Sequence, residues 1–268
     1  MDLAFLDLDG TLVFPERDFL GAGMAYRCVD RTVVRQVGFA SFRLIELLGE
    51  LAMQGIQVVP TTARSAVQLN RMQLFVNVPA VAIVGAGATV IIDGVVDASW
   101  REVLSGRTRS SAPISDVVHA IEPALHGSTR FDVREGTLLV LTYPSADLLE
   151  AHLETVVDDL RPLGWHACAD GRRLYLLPDG LSKLAAAEFV SESYGADWWA
   201  AAGDSSLDVG LLARASYGVT PAGSSIACDP DRPSGIQITG LGGPHAAEEV
   251  CEKILRARDA TVTGWMGS

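Results

Sequence analysis

The stretch FLDLDGT, residues 5–11, decides the fold prediction, because it ends an apolar run that begins almost at the first residue. Such a run predicts a buried β-strand that delivers Asp7 and Asp9 at its end, where Gly10 permits a sharp exit. Two carboxylates this close repel each other unless a cation lies between them or one of them carries a proton. The pair therefore indicates Mg²⁺ binding or a nucleophile with a general acid, and the alternative is a polar turn that closes the strand.

The composition is that of a globular protein, since 49% of the 268 residues are apolar. A formal net charge of −12 argues against nucleic acid as a partner, because a phosphate backbone would be repelled. The four cysteines show no CxxC spacing, so no zinc site is predicted. No basic leader and no apolar run long enough to span a bilayer is found, and we therefore expect a cytoplasmic protein without a membrane partner. Oligomeric state is left open.

Strand and helix patterns alternate along the first part of the chain. Apolar residues at spacings of three and four predict a helix that ends near Gly55, and residues 56–62 and 80–84 are typical of buried strands. The segment from Val13 to Gln36 is predicted to be irregular and could lie over a site as a flap. Strands and helices in this order favour a parallel sheet with right-handed crossovers.

This alternation stops after residue 85 and resumes at Ser182. The intervening patterns indicate a hairpin around Asp93-Gly94, a polar stretch, and a helix capped by Ser145 among antiparallel strands, two of which are predicted to pair across Asp170-Gly171. Beyond Ser182 the patterns predict strands at 198–202 and 217–220, a helix over 244–258 and a frayed tail. The predicted fold class is α/β, with a Rossmann-like parallel-sheet core of residues 1–85 and 179–268 and an inserted α+β domain of residues 86–178.

Four polar motifs fall at or beside the carboxyl ends of the predicted parallel strands, which is where ligands bind in open α/β sheets. The motifs are DLDGT at residues 7–11, TTAR at 61–64, Ser182-Lys183, and GDSSLD at 203–208. Together they supply the groups that phosphoryl transfer requires.

Each motif is assigned a role by its chemistry. Asp7 can attack phosphorus, and Asp9 can protonate the leaving oxygen and later deprotonate water. Thr62 offers a hydroxyl and nearby backbone N–H groups to phosphate oxygens, and Lys183 offers a compact positive charge. A divalent cation can be held by two further carboxylates four residues apart, Asp204 and Asp208, although Asp208 could instead only favour the helix dipole.

The ordered set of motifs resembles the haloacid dehalogenase (HAD) superfamily of phosphatases. That resemblance implies Asp7 as the nucleophile, Asp9 as acid and base, and Thr62 and Lys183 as phosphate ligands. It also implies Mg²⁺ as the cofactor, held by Asp7, the backbone carbonyl of Asp9 and Asp204, with Asp208 nearby. The insert is similar to the large α+β cap of the sugar-phosphatase branch, so the expected partner is a small phosphorylated metabolite.

Several alternatives stay open at this point. Arg64 could bind substrate or only cover the sheet edge, and Thr61 could replace Thr62 as the phosphate ligand. Relatives often carry Gly and Asn where this chain has Ala63 and Leu207, which puts the substrate in question more than the reaction. The expected activity is a Mg²⁺-dependent phosphomonoesterase acting on a sugar phosphate through an aspartyl-phosphate. The rival functions are those of a phosphosugar mutase and of a catalytically silent phosphometabolite-binding protein.

Overall fold

The computed structural model describes residues 1–75 and 77–265. The strands are β1 Asp2–Leu6, β2 Tyr26–Arg31, β3 Gln36–Ser41, β4 Ile56–Pro60, β5 Val81–Val84, β6 Thr89–Ile92, β7 Val95–Val96, β8 Arg130–Arg134, β9 Leu138–Thr142, β10 Trp165–Asp170, β11 Arg173–Pro178, β12 Trp198–Ala202, β13 Tyr217–Ala222 and β14 Gln237–Gly242. The helices are α1 Phe42–Met53, α2 Ala66–Asn70, α3 Ala98–Arg107, α4 Ile114–Ala120, α5 Glu122–Gly127, α6 Ala146–Leu160, α7 Lys183–Ser193, α8 Val209–Arg214, α9 Ser225–Cys228 and α10 Gly243–Trp265.

A parallel sheet forms the centre of the molecule, with the strand order β14-β13-β12-β1-β4. Leu6, the last residue of β1, is in register with Ala202 of β12 and with Pro60 of β4. The chain therefore leaves these three neighbouring strands at one edge of the sheet. Asp7, Thr61 and Gly203, the next residues along the chain, meet there.

Helices cover both faces of this sheet, which confirms the predicted α/β class. Alternate residues of β1 enter opposite cores, because side chains of a strand point to opposite faces. Ala4 and Leu6 pack with α1 and α10 on one face, whereas Leu3 and Phe5 pack with α7 and α8 on the other. Burial on both faces explains why the strand reads as an unbroken apolar run.

A second, antiparallel sheet has the order β10-β11-β9-β8 and is covered on one face by α4, α5 and α6. A third consists of β5, β6 and β7. Its β6–β7 turn has positive φ at both Asp93 and Gly94, 49° and 78°, as the predicted type I′ turn requires. The predicted strand near residue 80 is only marginally part of the parallel sheet, because β5 pairs antiparallel with β6 and joins β4 through a single parallel bridge between Thr61 and Ile83.

Other local predictions were wrong. The segment from Val13 to Gln36, predicted to be irregular, contains β2, and a bulged hairpin joins it to β3. For the polar stretch from about Arg101 to Pro113 no element was predicted, and its first part belongs to α3, which buries only Trp100 and Leu104 and so has little apolar periodicity. The β10–β11 turn consists of Gly171 and Arg172, one residue later than predicted, since Asp170 pairs with Arg173.

The carboxyl-terminal part of the chain also differs from prediction. Strand β14 was missed, and α10 continues to Trp265, although its predicted end was residue 258. The predicted tail beyond residue 265 lies outside the described residues. None of the helices that the structure describes has the length and apolarity to cross a bilayer.

Candidate active site

Asp7 follows β1 directly and is 5% exposed. Its backbone N–H donates to Ala202 of β12 at 2.9 Å, which keeps it at the sheet edge. The chain then turns tightly, because the N–H groups of Leu12 and Val13 both donate to the carbonyl of Leu8. Within the described residues no hydrogen bond reaches the carbonyl oxygen of Asp9, the oxygen predicted to ligate a metal.

Lys183 joins the first and last motifs. It begins α7 behind the N-cap Ser182, its side chain is 2% exposed, and its Nζ donates to Asp7 Oδ1 and Asp208 Oδ1 at 2.6 Å each. The other oxygen of Asp208 accepts from the Ser205 N–H at 3.2 Å and the Ser205 hydroxyl at 2.9 Å. Both oxygens of Asp208 are thus occupied, and this side chain fixes the position of the Lys183 ammonium.

Asp204 completes a group that we call the lysine cluster, which consists of Asp7, Lys183, Asp204 and Asp208. Carboxylate oxygens of its three aspartates lie within 4.8 Å of one another. The Asp204 carboxylate also packs so closely on Gly10, which has a φ of 81°, that a Cβ on Gly10 would overlap it. The glycine of DLDGT is therefore required both for its backbone conformation and for the space it leaves.

The charges of the lysine cluster do not balance. Burial raises the pKa of Asp7 to about 7, although Lys183 opposes the rise. The pKa of Asp204 is raised to about 9, mainly by burial and then by the charges of Asp7 and Asp208. Burial would lower the pKa of Lys183, but Asp208 and Asp7 raise it. Two buried carboxylates and a partly buried one facing one ammonium fit a divalent cation, and oxygen is the ligand that Mg²⁺ prefers.

Thr61 and Thr62 follow β4 and are both buried. The Thr61 hydroxyl donates back to the Val59 carbonyl at 3.0 Å, whereas the Thr62 hydroxyl only accepts, from the Arg64 N–H at 3.2 Å. The proton of the Thr62 hydroxyl is therefore free for a ligand, which favours Thr62 over Thr61. The backbone N–H of Thr62 donates to the Ile83 carbonyl at 2.9 Å and is therefore not available to a phosphate. The hydroxyl is thus the group of Thr62 that can bind a phosphate oxygen.

Arg64 is buried and already bound. Its Nε and Nη2 donate to the two oxygens of Asp9 at 2.7 and 2.6 Å, and its Nη1 donates to Asp30 at 2.5 Å. Arg71 also donates to Asp30, through Nε at 2.6 Å. We call Asp9, Asp30, Arg64 and Arg71 the arginine cluster. Sequence reasoning missed Asp30 and Arg71, because Asp30 lies in β2, within the segment predicted to be irregular.

The arginine cluster keeps its carboxylates ionised. Burial would raise the pKa of Asp9, but Arg64, followed by Arg173 and Arg134, lowers it below the usual value of 3.8. The pKa of Asp30 is lowered in the same way by Arg71 and Arg64, against its burial. These partners also outweigh burial at Arg64, whose pKa is raised. Asp9 is thus an ionised carboxylate in this conformation, able to accept a proton.

A cleft of about 640 Å³ opens beside Asp9. The β2–β3 turn lines one side of it, the loop after β4 forms its base, and strands β8 to β11 form the opposite wall. The β8–β9 turn bridges the wall and the base. Arg134 Nη1 donates to the Ala63 carbonyl at 2.9 Å, and Glu135 Oε1 accepts from the Ala66 N–H at 2.8 Å.

The structure therefore brings together all seven residues predicted for the site. Asp7, Lys183, Asp204 and Asp208 form one cluster, Asp9 and Arg64 belong to the other, and Thr62 lies in the loop that leads to Arg64. Glu135 is, with Asp30 and Arg71, a third residue of this region that was not predicted from the sequence. Glu135 lies in a turn, with a φ of 50°, and belongs to no sequence motif, so no pattern distinguishes it from an ordinary surface acid.

No protein-family model and no curated protein sequence matches the chain. Solved structures do match it, at low identity. The sucrose-phosphatase from Synechocystis sp. PCC6803, in complex with sucrose and phosphate, aligns with a TM-score of 0.63 and 17% identity over 96% of this chain and 97% of that one. A Thermoplasma acidophilum protein aligns with a TM-score of 0.65 and 13% identity over 96% of this chain and 98% of its own.

The HAD subclass IIB sugar phosphatase BT4131 also aligns, with a TM-score of 0.62 and 13% identity over 96% of this chain and 98% of that one. Similarity at this level of identity establishes the fold. The chain has the HAD fold with a cap domain, as its motifs implied. Function is a property of the site and does not follow from the fold.

Proposed function

We propose that this protein is a Mg²⁺-dependent phosphomonoesterase that acts on a small phosphorylated metabolite through an aspartyl-phosphate on Asp7. The fold that it shares with sugar phosphatases favours a sugar phosphate as the substrate. The observation that carries the proposal is the lysine cluster. A nucleophile, a cation and two further carboxylates from three separate motifs meet in a buried corner at the sheet edge, with Lys183 only 2.6 Å from Asp7. A purely structural role would not require so much unbalanced buried charge.

In the first half of the proposed reaction, Asp7 attacks the phosphorus atom and the bond from phosphorus to the leaving oxygen breaks. Lys183 occupies Oδ1 of Asp7, which leaves Oδ2 for the attack. Lys183 and the Thr62 hydroxyl neutralise and hold the oxygens of the transferred group. In the second half, Asp9 takes a proton from water, the water oxygen attacks phosphorus, and Asp7 is released as a carboxylate.

Asp9 must also carry a proton to the leaving oxygen. Arg64 opposes that step as long as both of its hydrogen bonds to Asp9 persist, because they favour the ionised carboxylate. We infer that Asp9 turns away from Arg64 when substrate is bound. Its side chain is 44% exposed to the cleft, so it has the space to do so.

The predicted metal ligands are Asp7, the carbonyl oxygen of Asp9 and Asp204, with Asp208 nearby. Because both oxygens of Asp208 are already hydrogen-bonded, we assign it a role through Lys183. Bound Mg²⁺ would supply positive charge that lets an anionic carboxylate approach an anionic phosphoryl group. The donor set is suited to this ion, since three clustered carboxylates, two of them buried, have a single ammonium partner and need a further cation.

We retain the predicted domain division as part of the proposal: a catalytic core of residues 1–85 and 179–268, and a cap of residues 86–178. Its boundary at residue 85 falls between β5 and β6, which pair with each other. The cap strands form one wall of the cleft, a position from which they can contact the leaving group and exclude water. A cytoplasmic location is a prediction from the sequence alone.

The proposal is tested by phosphate release from a panel of metabolites. We expect release with Mg²⁺, and its loss with EDTA or in Asp7→Asn. Asp93→Asn is the matched control, because it makes the same chemical change in a turn remote from the site and keeps a residue that tolerates positive φ. Release that is indifferent to EDTA and to Asp7→Asn would contradict the mechanism.

The same assay separates the rival functions. Isomerised sugar phosphate without net phosphate release would indicate a mutase. Tight binding across the panel without turnover would indicate a phosphometabolite-binding protein.

A further inference from the structure

The cleft beside Asp9 has the opposite charge to the rest of the chain. The whole sequence has 21 basic and 33 acidic residues, yet seven arginines line the cleft together with three aspartates. Counting Asp30 of the arginine cluster as well, three positive charges remain in excess. A concave basic surface on an acidic protein attracts small anions.

Part of this positive charge is already used. Arg64 and Arg71 are paired with Asp9 and Asp30, and Arg134 donates to Ala63. These three arginines hold the fold together and have little capacity left for a ligand.

Three cleft arginines have weak side-chain partners or none, whereas a fourth, Arg173, has a hydrogen bond with Tyr175. Arg35, in the β2–β3 turn, has no side-chain partner within the described residues, and the Arg130 side chain reaches Asp132 at 3.4 Å. The Arg172 side chain donates to the Pro144 carbonyl at 3.1 Å. Arg173 lies among Tyr175, Asp9 and Asp170, which raise its pKa although burial would lower it. The four come from opposite walls of one cleft and face a common volume.

The phosphoryl group that is transferred does not account for these arginines. In the proposed reaction its oxygens are held by Lys183 of the lysine cluster and by the Thr62 hydroxyl. The leaving group occupies the cleft, whose volume of about 640 Å³ is that of a site for a small metabolite. A neutral leaving group would leave several guanidinium groups facing it without a partner, which costs free energy.

We propose that the substrate is a phosphate monoester with a second anionic group, a carboxylate or a further phosphate, held by Arg35, Arg130, Arg172 and Arg173. This inference rests on the proposed phosphatase function and specifies its substrate class. Guanidinium groups suit either anion, because their N–H groups bind carboxylate and phosphate oxygens in pairs.

Two matched pairs of compounds test it. 3-Phosphoglycerate differs from glycerol 3-phosphate in having a carboxylate in place of a hydroxymethyl group, and fructose 1,6-bisphosphate differs from fructose 6-phosphate by one phosphate. We expect the member with the second anionic group to have the higher kcat/KM by about tenfold in at least one pair, which also distinguishes carboxylate from phosphate. Equal values, or a preference for the member without that group in both pairs, would overturn the inference.

Variants connect the preference to the cleft. Arg35→Gln and Arg172→Gln should each reduce the ratio of kcat/KM within the preferred pair by about fivefold, mainly through KM. Arg109→Gln, an exposed arginine of the same predicted cap that does not line the cleft, should leave the ratio unchanged. Unchanged ratios in both cleft variants would also overturn the inference.

Binding separates this inference from the proposed function. Calorimetric titration of folded Asp7→Asn protein with the four compounds should show tighter binding of the members with the second anionic group, whether or not any compound is hydrolysed. Absence of hydrolysis with this binding preference would refute the phosphatase and keep the anion site. Hydrolysis without the binding preference would support the phosphatase and refute the anion site.

Discussion

The lysine cluster and the arginine cluster have a similar arrangement but a different balance of charge. In each, one buried cation bridges two carboxylates, of which one comes from the DLDGT motif. Lys183 bridges Asp7 and Asp208, and Arg64 bridges Asp9 and Asp30. The lysine cluster contains one further carboxylate and the arginine cluster one further arginine. Negative charge is therefore in excess in the lysine cluster, whereas the charges of the arginine cluster balance.

This difference shows how one edge of a sheet can serve two tasks. The pKa values of Asp7 and Asp204 are raised because burial disfavours their charged forms and Lys183 does not fully offset this, so the lysine cluster is suited to binding a cation. The pKa values of Asp9 and Asp30 are lowered because their charges are compensated, so the arginine cluster is complete without a ligand. The lysine cluster is suited to catalysis, and the arginine cluster is suited to holding Asp9 in position.

Removal of the bridging lysine should have the largest effect on stability. We expect Lys183→Met to lower the free energy of unfolding by about 4 kcal/mol, because it leaves buried carboxylates without a partner. The control is Lys253→Met, which removes the other lysine of the chain; its 3.3 Å pair with Glu249 is partly exposed and worth less than about 1 kcal/mol. Denaturant unfolding measures both. Equal losses would mean that the lysine cluster is solvated rather than buried.

The arginine cluster should depend on Asp30 to a slightly smaller degree. Asp30→Asn removes the charge shared by Arg64 and Arg71, and we expect a loss of about 3 kcal/mol at pH 7. Asp158→Asn, whose side chain is 64% exposed and pairs with Arg161 at 3.4 Å, is the control and should change stability by less than about 0.5 kcal/mol.

The effect of Asp30→Asn should also depend on pH in a defined direction. The folded-state pKa of Asp30 is lowered, so its contribution is fully present above the usual pKa of 3.8 and is lost as the pH falls through the folded value. Urea unfolding of wild type and variant at pH 7 and near pH 3 measures the difference. A difference that grows at the lower pH would contradict the assigned ion pairs.

A substitution next to the lysine cluster should have the smallest effect on stability and a specific effect on Mg²⁺ binding. Gly10→Ala places a methyl group against the Asp204 carboxylate, whereas Gly21→Ala, at a φ of 83°, has no atom within 4 Å. Both variants should lose about 1 kcal/mol from the strained backbone. Only Gly10→Ala should also lose the thermal stabilisation that Mg²⁺ gives the wild type. Identical Mg²⁺ responses would exclude Asp204 from the metal site.

The whole lysine cluster could be predicted from the sequence, but only Asp9 and Arg64 of the arginine cluster could. Asp7, Lys183, Asp204 and Asp208 lie in short motifs at strand ends, and the parallel topology brings such ends together. Asp30 lies in a strand whose pairing is interrupted by bulges, so alternation does not reveal it. Its partners are 34 and 41 residues away, and only the folded chain specifies them.

The same distinction applies to the fold. Strands buried on both faces, such as β1 and β12, could be identified from unbroken apolar runs, and Ser145 and Ser182 marked helix starts through their capping hydrogen bonds. Helix α3 could not, because two buried side chains in ten residues give almost no periodic signal. Its helical state depends on packing against the rest of the molecule.

The most direct test of the account is the detection of phosphoryl-Asp7. Wild-type protein is mixed with a turned-over substrate and Mg²⁺, quenched in acid within the first turnover, and its peptides are analysed by mass spectrometry. We predict one phosphoryl group on the peptide that contains Asp7, absent without Mg²⁺ and in Asp7→Asn. Turnover with no phosphorylated peptide, or with the phosphoryl group on another residue, would contradict the central claim that Asp7 is the nucleophile.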